Sequence, residues 1–203
     1  MRVKLKENNK SIITAIEESI SLKKKIVFLE KDIDAAINLI YKTLKNKNKI
    51  YICGNGGSAA DAQHLSAEFL VRLRPKINRR PLPIVSLALD TSTLTACAND
   101  YDFKYIFSRN LEALANSGDL LFCISTSGNS RNIIEVLKKS KKIKIKSLSL
   151  LGNSGGTAKT ISDLSIIVPS GNTARIQEMH IFIGHYILEK VENLLFKSIF
   201  KKK

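Results

Sequence analysis

Short apolar runs alternate with amphipathic stretches along most of this 203-residue chain. Runs that are apolar on both faces are typical of strands inside a parallel sheet, whereas apolar positions three or four residues apart are typical of helices. Strands are predicted at 50–53, 84–89, 120–124, 147–151 and 165–168. Helices are predicted at 58–73, 103–116, 130–142, 156–162 and 174–198. The alternation predicts an α/β fold with helices on both faces of a five-stranded parallel sheet.

The beginning of the chain carries a different pattern, an apolar stripe without strand-like runs. The stripe extends from Ile12 to Leu44 at near-helical spacing and predicts one or two long helices. We expect these helices to pack partly against another subunit. The chain is therefore divided into an N-terminal helical extension that makes oligomer contacts, 1–45, and one α/β domain, 46–200.

Composition and charge narrow the class of protein. Charged residues make up 25% and apolar residues 44%, which is typical of a soluble globular domain. The N-terminus lacks the apolar core of a signal peptide, which predicts a cytoplasmic protein without a membrane partner. The net charge of +15 could indicate nucleic-acid binding. However, few aromatic residues lie among the scattered lysines, and we expect no nucleic-acid partner. Cys53, Cys97 and Cys123 are predicted to be small buried thiols in a reducing compartment.

The segment Cys-Ile-Ser-Thr-Ser-Gly-Asn-Ser at 123–130 joins a predicted buried strand to a predicted helix. Unpaired N–H groups at a helix start favour an anion there. Neutral hydroxyl donors cluster at the same point, and these are Ser125, Thr126, Ser127 and Ser130. We interpret the segment as a phosphate cradle. A polar loop with an ordinary N-cap is the alternative.

A glycine-rich segment, Gly-Asn-Gly-Gly-Ser at 54–58, follows the first strand and opens a helix. Glycines allow the backbone to turn tightly and to approach a ligand. Gly54, Gly56 and Ala59 also match part of a dinucleotide-binding fingerprint. That match is weak because Asp90 comes later than the usual spacing of roughly 20 residues. A nicotinamide cofactor is therefore not expected.

Acidic and amide side chains follow the second strand, namely Asp90, Asn99 and Asp100. Such residues dominate turns, but they could equally recognise sugar hydroxyls or a carbonyl group. Ligands of parallel sheets bind at the carboxyl ends of the strands. The segments 54–58, 90–100, 125–130 and 152–157 all follow strands, which predicts one site at that edge.

All three histidines lie on two predicted helices. His64 and Glu68 are four residues apart and share a face of one helix, while Gln177 and His185 share a face of the last helix. His180 lies on a neighbouring face. The four shared-face residues could hold a divalent metal, although glutamine is an unusual zinc ligand. Alternatively, Glu68 and His185 form an acid–base pair, or His64 and Glu68 are a solvated surface pair.

Taken together, these motifs resemble the sugar isomerase (SIS) domain family, and within it the phosphoheptose isomerases. The resemblance extends from about residue 10 to about residue 198. It rests on CGNGGS at 53–58, DAQH and the following Glu within 61–68, AND at 98–100, ISTSGNS at 124–130 and RIQEMH at 175–180. It implies a flavodoxin-like three-layer sandwich. The implied reaction converts sedoheptulose 7-phosphate to D-glycero-D-manno-heptose 7-phosphate for lipopolysaccharide or another surface polysaccharide.

The resemblance also implies roles for individual residues. Glu68 matches the catalytic base and His185 the general acid. One zinc ion per subunit is implied, with the ligands His64, Glu68, Gln177 and His185. The implied substrate-binding residues are Asn55, Gly56, Gly57, Ser58, Glu68, Asn99, Asp100, Ser125, Thr126, Ser127, Ser130 and Gln177. The family implies a homotetramer with shared active sites. Ala174 departs from the pattern, because some isomerases carry an acidic residue there.

Two non-catalytic alternatives were compared with the isomerase. A regulatory relative binds the replication initiator DnaA and shares the glycine loop, the Ser/Thr loop and the ARIQEMH sequence. That relative lacks counterparts of Glu68 and His185, and it carries a basic residue inside the Ser/Thr loop, which here contains Ser127. A sugar-phosphate sensor would need the hydroxyl loop but neither Glu68 nor His185. The chain has the isomerase residue at all three positions, which predicts an enzyme.

Overall fold

The computed structural model describes residues 11–197. The strands are β1 (Ile50–Gly54), β2 (Ile84–Ser86), β3 (Leu120–Ser125), β4 (Lys146–Gly152) and β5 (Leu164–Val168). The helices are α1 (Ile12–Lys25), α2 (Glu30–Lys45), α3 (Gly57–Leu70), α4 (Thr91–Asp100), α5 (Ile106–Leu114), α6 (Arg131–Lys142), α7 (Gly156–Ile161) and α8 (Thr173–Leu195). Short 3-10 turns, Ile26–Leu29 and Phe103–Tyr105, precede α2 and α5.

The five strands form one parallel sheet in the order β2-β1-β3-β4-β5. β1 and β3 are neighbours and pair as far as Gly54 with Ile124. The loops that follow these two strands therefore leave the same edge side by side. The predicted α/β class, with five parallel strands and a flavodoxin-like order, is confirmed.

Helices cover both faces of the sheet, and the alternation of side chains along each strand separates two cores. Ile50 and Ile52 of β1 face a cluster that also contains residues of α1, α2, α3 and α8. Tyr51 and Cys53 face a second cluster with residues of α4, α5, α6 and α7. The three cysteines are buried free thiols within this second cluster, as predicted for their packing.

The N-terminal stripe forms two helices joined by a 3-10 turn, in agreement with the sequence pattern. Leu22, Ile33 and Ile40 are buried in the same cluster as α8. Other apolar residues of α1 remain exposed, including Ile12 and Ile16. The division at residue 45 and the oligomer contacts stay predictions. Residues 1–10 and 198–203 lie outside the described part of the chain.

Two predictions after the second strand were wrong. β2 ends at Ser86 instead of Leu89, because the Ser86 hydroxyl accepts a hydrogen bond from the N–H of Ala88 (3.2 Å) and the chain turns there. The segment 91–100, for which no helix was predicted, forms helix α4. Asp90 caps α4 by accepting hydrogen bonds from the N–H groups of Ser92 and Thr93.

Candidate active site

The Ser/Thr loop between β3 and α6 is a compact turn held by its own hydroxyls. Ser125 Oγ accepts a hydrogen bond from Gly128 N (3.1 Å), and Ser127 Oγ accepts one from Asn129 N (3.2 Å). Gly128 has φ +64°, and a Cβ there would lie 2.0 Å from the carbonyl oxygen of Gly155. Ser130 is the N-cap residue of α6, and its side chain makes no capping hydrogen bond. The loop therefore presents the start of α6 among the predicted hydroxyls, an arrangement suited to an anion.

The loop is also fastened to the neighbouring β4–α7 connection. Asn153 Nδ2 donates to the Thr126 carbonyl (3.0 Å), and Thr157 N donates to Asn129 Oδ1 (2.9 Å). Ala158 N donates to the Gly128 carbonyl (2.8 Å). Hydrogen bonds from three residues, Asn153, Thr157 and Ala158, thus fix the loop on its β4 side.

The glycine loop lies on the other side, between β1 and α3. Its Asn55 side chain forms two hydrogen bonds with Asn132, and Ser58 is buried at the start of α3. The Gln177 amide lies against Gly57, so closely that a Cβ on Gly57 would meet Gln177 Nε2 at 2.3 Å. The structure therefore places Asn55, Gly57, Ser58 and Gln177 around one loop.

His64, Glu68 and His185 form a cluster between α3 and α8. His64 Nε2 lies 2.9 Å from His185 Nε2 and 3.6 Å from Glu68 Oε1. One ligand atom from each residue lies within 4.8 Å of the others. The His64 and Glu68 side chains remain 48% and 21% exposed, so the cluster is open to a ligand. The predicted convergence of these three distant residues is present in the fold.

The surroundings of His185 favour its uncharged form. Partial burial lowers the pKa of His185, and the nearby His64 lowers it further, against opposing contributions from Glu68 and Glu189. A neutral imidazole can bind a metal or accept a proton. His180 is different, because it is fully buried and pairs through Nε2 with the Leu151 carbonyl (3.0 Å). His180 thus belongs to the core.

Within one chain, this cluster lies away from the glycine loop along both helices. Glu68 lies eleven residues after Gly57 on α3, which is about 16 Å along a helix axis. Gln177 lies eight residues before His185 on α8, about 12 Å along the axis. Gln177 therefore accompanies the glycine loop, and its role as a metal ligand stays a prediction. Asn99 and Asp100 lie exposed at the end of α4, where Asn99 Nδ2 donates to Asp100 Oδ1 (2.9 Å).

A buried ion network holds the helix that carries Glu68. The Arg79 guanidinium donates to the backbone carbonyls of Glu68 (2.8 Å) and Phe69 (2.9 Å) and pairs with Glu192 of α8. Arg74 also binds Glu192 (2.7 Å). The network caps α3 and ties it to α8. Sequence reasoning missed it because Arg79 lies in an irregular segment without periodicity.

The donor set of the cluster fits a zinc ion. Two imidazole nitrogens and a carboxylate oxygen are common zinc ligands, and neighbouring ligands of a tetrahedral zinc ion lie about 3.4 Å apart. The separations of 2.9 and 3.6 Å are close to that value. A carboxylate beside an imidazole can also move protons at a carbonyl carbon.

Comparisons with known proteins agree with this arrangement. A family model described as the SIS domain matches residues 10–152. The phosphoheptose isomerase of Helicobacter pylori (strain P12) is 48% identical over 172 residues, which are 85% of this chain and 88% of that protein. That of Campylobacter concisus is 52% identical over 160 residues, or 79% and 84% of the two chains. The structure of phosphoheptose isomerase from Neisseria gonorrhoeae has a TM-score of 0.84 at 39% identity, covering 90% of this chain and 97% of that chain.

The family-model match over residues 10–152 places the chain in the class of sugar isomerase (SIS) domain proteins, and the sheet order and the hydroxyl-rich loop after β3 agree with that class. The identities of 48% and 52% extend over most of both chains. The chain belongs to the phosphoheptose isomerase family, and the resemblance predicted from the motifs is confirmed.

Proposed function

We propose that this chain isomerises sedoheptulose 7-phosphate to D-glycero-D-manno-heptose 7-phosphate, which supplies heptose for lipopolysaccharide or another surface polysaccharide. The observation that carries the proposal is the convergence of Glu68, His185 and His64 within 4.8 Å, on helices that are far apart in the chain. Relatives named phosphoheptose isomerase, 48% and 52% identical, support the same reaction.

The mechanism uses the phosphate as an anchor and a carboxylate as the base. Hydroxyls of Ser125, Thr126, Ser127 and Ser130 hold the phosphate, and this positioning supplies much of the rate enhancement. Glu68 removes the proton from C1 of the open-chain ketose, which gives a cis-enediolate. His185 transfers protons between the C1 and C2 oxygens or assists ring opening. Glu68 then returns a proton to C2, which gives the aldose.

A zinc ion is proposed at His64, Glu68 and His185. Gln177, the fourth predicted ligand, lies about 12 Å from His185 along α8, so a glutamine ligand would have to come from another copy of the chain. When bound, such an ion polarises a carbonyl oxygen as a Lewis acid. The pKa of His185 is lowered by its surroundings, which favours the neutral imidazole that coordination requires. Elemental analysis of the purified protein, before and after a chelator, tests this assignment.

The distance between the cluster and the loops supports an active site shared between copies of the chain. The backbones of Gly57 and Glu68 lie about 16 Å apart along α3, which favours a second chain as the source of one of the two groups. The layer that carries the cluster also exposes apolar side chains, including Ile12, Ile16 and Phe182. We propose that this layer packs against another copy in a homotetramer, so that Glu68 of one subunit meets the phosphate loop of another.

Mixing two inactive variants tests the shared site. One carries Glu68→Gln, and the other carries Thr126→Val together with Ser130→Ala. A co-refolded mixture regains isomerase activity if one site draws on two chains. A mixture that stays as inactive as its components, although light scattering shows mixed tetramers, contradicts a shared site.

The reaction itself is tested with Glu68→Gln. Loss of the general base lowers kcat by about 10²–10⁴-fold in a coupled isomerase assay. The variant also fails to exchange substrate protons with deuterated water, whereas the wild type exchanges them. Glu135→Gln is a matched control, because Glu135 is a helical carboxylate that pairs with Lys138 (2.8 Å) on α6. Near-normal turnover by Glu68→Gln would remove this residue from the mechanism.

The alternative function, that of a non-catalytic regulator that binds the replication initiator DnaA, is not favoured. Glu68 and His185, which that regulator lacks, meet in the fold, and the curated relatives cited above are named as isomerases. A cytoplasmic location is proposed from the phosphorylated substrate. Among residues 11–197, no helix combines the length and apolarity of a membrane span.

A further inference from the structure

Asn55 and Asn132 form a reciprocal pair of amide hydrogen bonds. Asn55 Nδ2 donates to Asn132 Oδ1 (2.8 Å), and Asn132 Nδ2 donates to Asn55 Oδ1 (2.7 Å). Asn132 is only 2% exposed, in the first turn of α6, two residues after Ser130. Asn55 is the first residue after β1 and precedes Gly56 and Gly57. The pair thus links the two loops expected to hold the substrate.

The Asn55–Asn132 pair joins two loops beyond the point where their strands stop pairing. The backbone ladder between β1 and β3 ends at Gly54 and Ile124, and beyond it the two chains continue as separate loops. Asn55 follows the last paired residue of β1 directly, and Asn132 lies at the far end of the Ser/Thr loop. On the β4 side, the Ser/Thr loop is held by bonds from Asn153, Thr157 and Ala158. The amide pair supplies the corresponding link on the β1 side.

Burial distinguishes Asn132 from a residue that touches substrate. With 2% exposure, its side chain has little surface for a ligand. Each amide of the pair retains one N–H and one lone pair, so the half-buried Asn55 can still contact a ligand while Asn132 holds it. A buried amide pair with both bonds made is rigid, because breaking it leaves polar groups without partners.

We propose that Asn132 is a positioning residue of the isomerase reaction, acting through Asn55. It determines the separation between the phosphate-binding loop and the glycine loop, and hence where C1 and C2 of the anchored sugar phosphate lie. This inference rests on the proposed function. Displacing a reacting group by about 1 Å can lower the rate by as much as 10²-fold. The phosphate loop keeps its hydrogen bonds from Asn153, Thr157 and Ala158 when Asn132 is replaced. Phosphate binding is therefore retained, and the replacement lowers kcat more than it raises KM.

The experiment compares Asn132→Ala, Asn132→Asp and the wild type in the coupled isomerase assay. We expect Asn132→Ala to lower kcat by about 10–10²-fold while KM changes by less than about threefold. In Asn132→Asp, the ionised carboxylate cannot donate to Asn55 Oδ1. A protonated carboxyl restores both bonds, so the activity of this variant relative to the wild type rises as the pH falls. A purely structural defect would not show that recovery.

A double-mutant cycle and a control complete the design. If Asn132 acts through Asn55, then Asn55→Ala and the double alanine variant have the same kcat, since the second change removes nothing more. Asn48→Asp is the matched control, because Asn48 bonds the Ser117 carbonyl (3.0 Å) before β1 begins, away from the loops. It should leave kcat unchanged.

Two results overturn the inference without touching the proposed function. One is a folded Asn132→Ala with wild-type kcat, and the other is additive losses in the double variant. If Asn132→Ala does not fold, the near-isosteric Asn132→Asp decides the question. The inference is then refuted if the kcat of Asn132→Asp relative to the wild type does not change with pH. Absence of isomerase activity in the wild type refutes the proposed function instead.

Discussion

The contact between Gly184 and Leu65 sets how closely the two helices of the histidine cluster approach. Gly184 of α8 precedes His185, and Leu65 of α3 follows His64. A Cβ on Gly184 would lie 2.7 Å from Leu65 Cδ1 and 2.8 Å from Leu65 Cδ2. Carbon atoms normally approach to about 3.5–4.0 Å, so Gly184→Ala must separate the helices by nearly 1 Å or displace Leu65. Leu65 is 1% exposed and has little room to move.

The effects of Gly184→Ala on stability and on activity should differ in size. Overpacking destabilises by about 1–3 kcal/mol, while alanine in place of glycine favours a helix by about 1 kcal/mol. The free energy of unfolding therefore falls by about 0–2 kcal/mol. The separation of 2.9 Å between His64 Nε2 and His185 Nε2 is set by the same contact. A shift of about 1 Å there should lower kcat/KM by up to about 10²-fold and weaken zinc binding.

Denaturant unfolding, the coupled isomerase assay and a zinc titration measure these three quantities. Gly171→Ala is the control, because a Cβ there would lie at an ordinary 3.6 Å from Asn153 Oδ1. Adding Leu65→Ala to Gly184→Ala removes the clash and should restore zinc affinity. Wild-type zinc affinity and kcat/KM in Gly184→Ala would refute the argument that this contact positions the histidines.

Two further predictions concern buried polar groups. Burial lowers the pKa of His180 from 6.5 to about 4. The unfolded chain therefore binds a proton at this histidine between pH 6.5 and pH 4, whereas the folded chain does not. The free energy of unfolding should fall by about 3 kcal/mol as the pH falls through that range, and the full stability is present above pH 6.5. In His180→Phe, the free energy of unfolding should therefore decline less between pH 6.5 and pH 4 than in the wild type. An equal decline in both proteins would contradict the assignment to His180. Glu192→Gln leaves the buried Arg79 without its counter-charge. The free energy of unfolding should fall by about 3–5 kcal/mol in denaturant unfolding. A loss below about 1 kcal/mol would contradict this prediction and would mean that Arg79 finds another anionic partner.

Most of the sheet could be predicted because its strands are apolar on both faces. The ends of β1, β3, β4 and β5 lie within one residue of the predicted ends. Helix α4 could not be predicted in the same way, since the segment from Thr91 is rich in Ser, Thr and Asn and has no clear apolar stripe. The cap from Asp90 and the burial of Cys97 stabilise it. These contacts depend on where the chain lies after β2.

Some features of the candidate site could be predicted from the sequence, whereas others depend on the tertiary packing. His64 and Glu68 share a helical face by spacing alone, and the hydroxyls of the Ser/Thr loop are neighbours in sequence. The approach of His185, in contrast, depends on the packing of α8 against α3. The Asn55–Asn132 pair depends on the register of β1 and β3, and Asn132 carried no signal in the sequence.

By itself, the sequence determined the α/β class, the loops at the carboxyl edge and the family, because periodicity and short motifs are local properties of the chain. The tertiary structure decided which distant side chains meet. It placed Gln177 beside Gly57 and not beside His185, and it placed Glu68 more than two helical turns away from the glycine loop of its own chain. Those distances follow from rigid helices with a rise of about 1.5 Å per residue, packed in one fixed orientation.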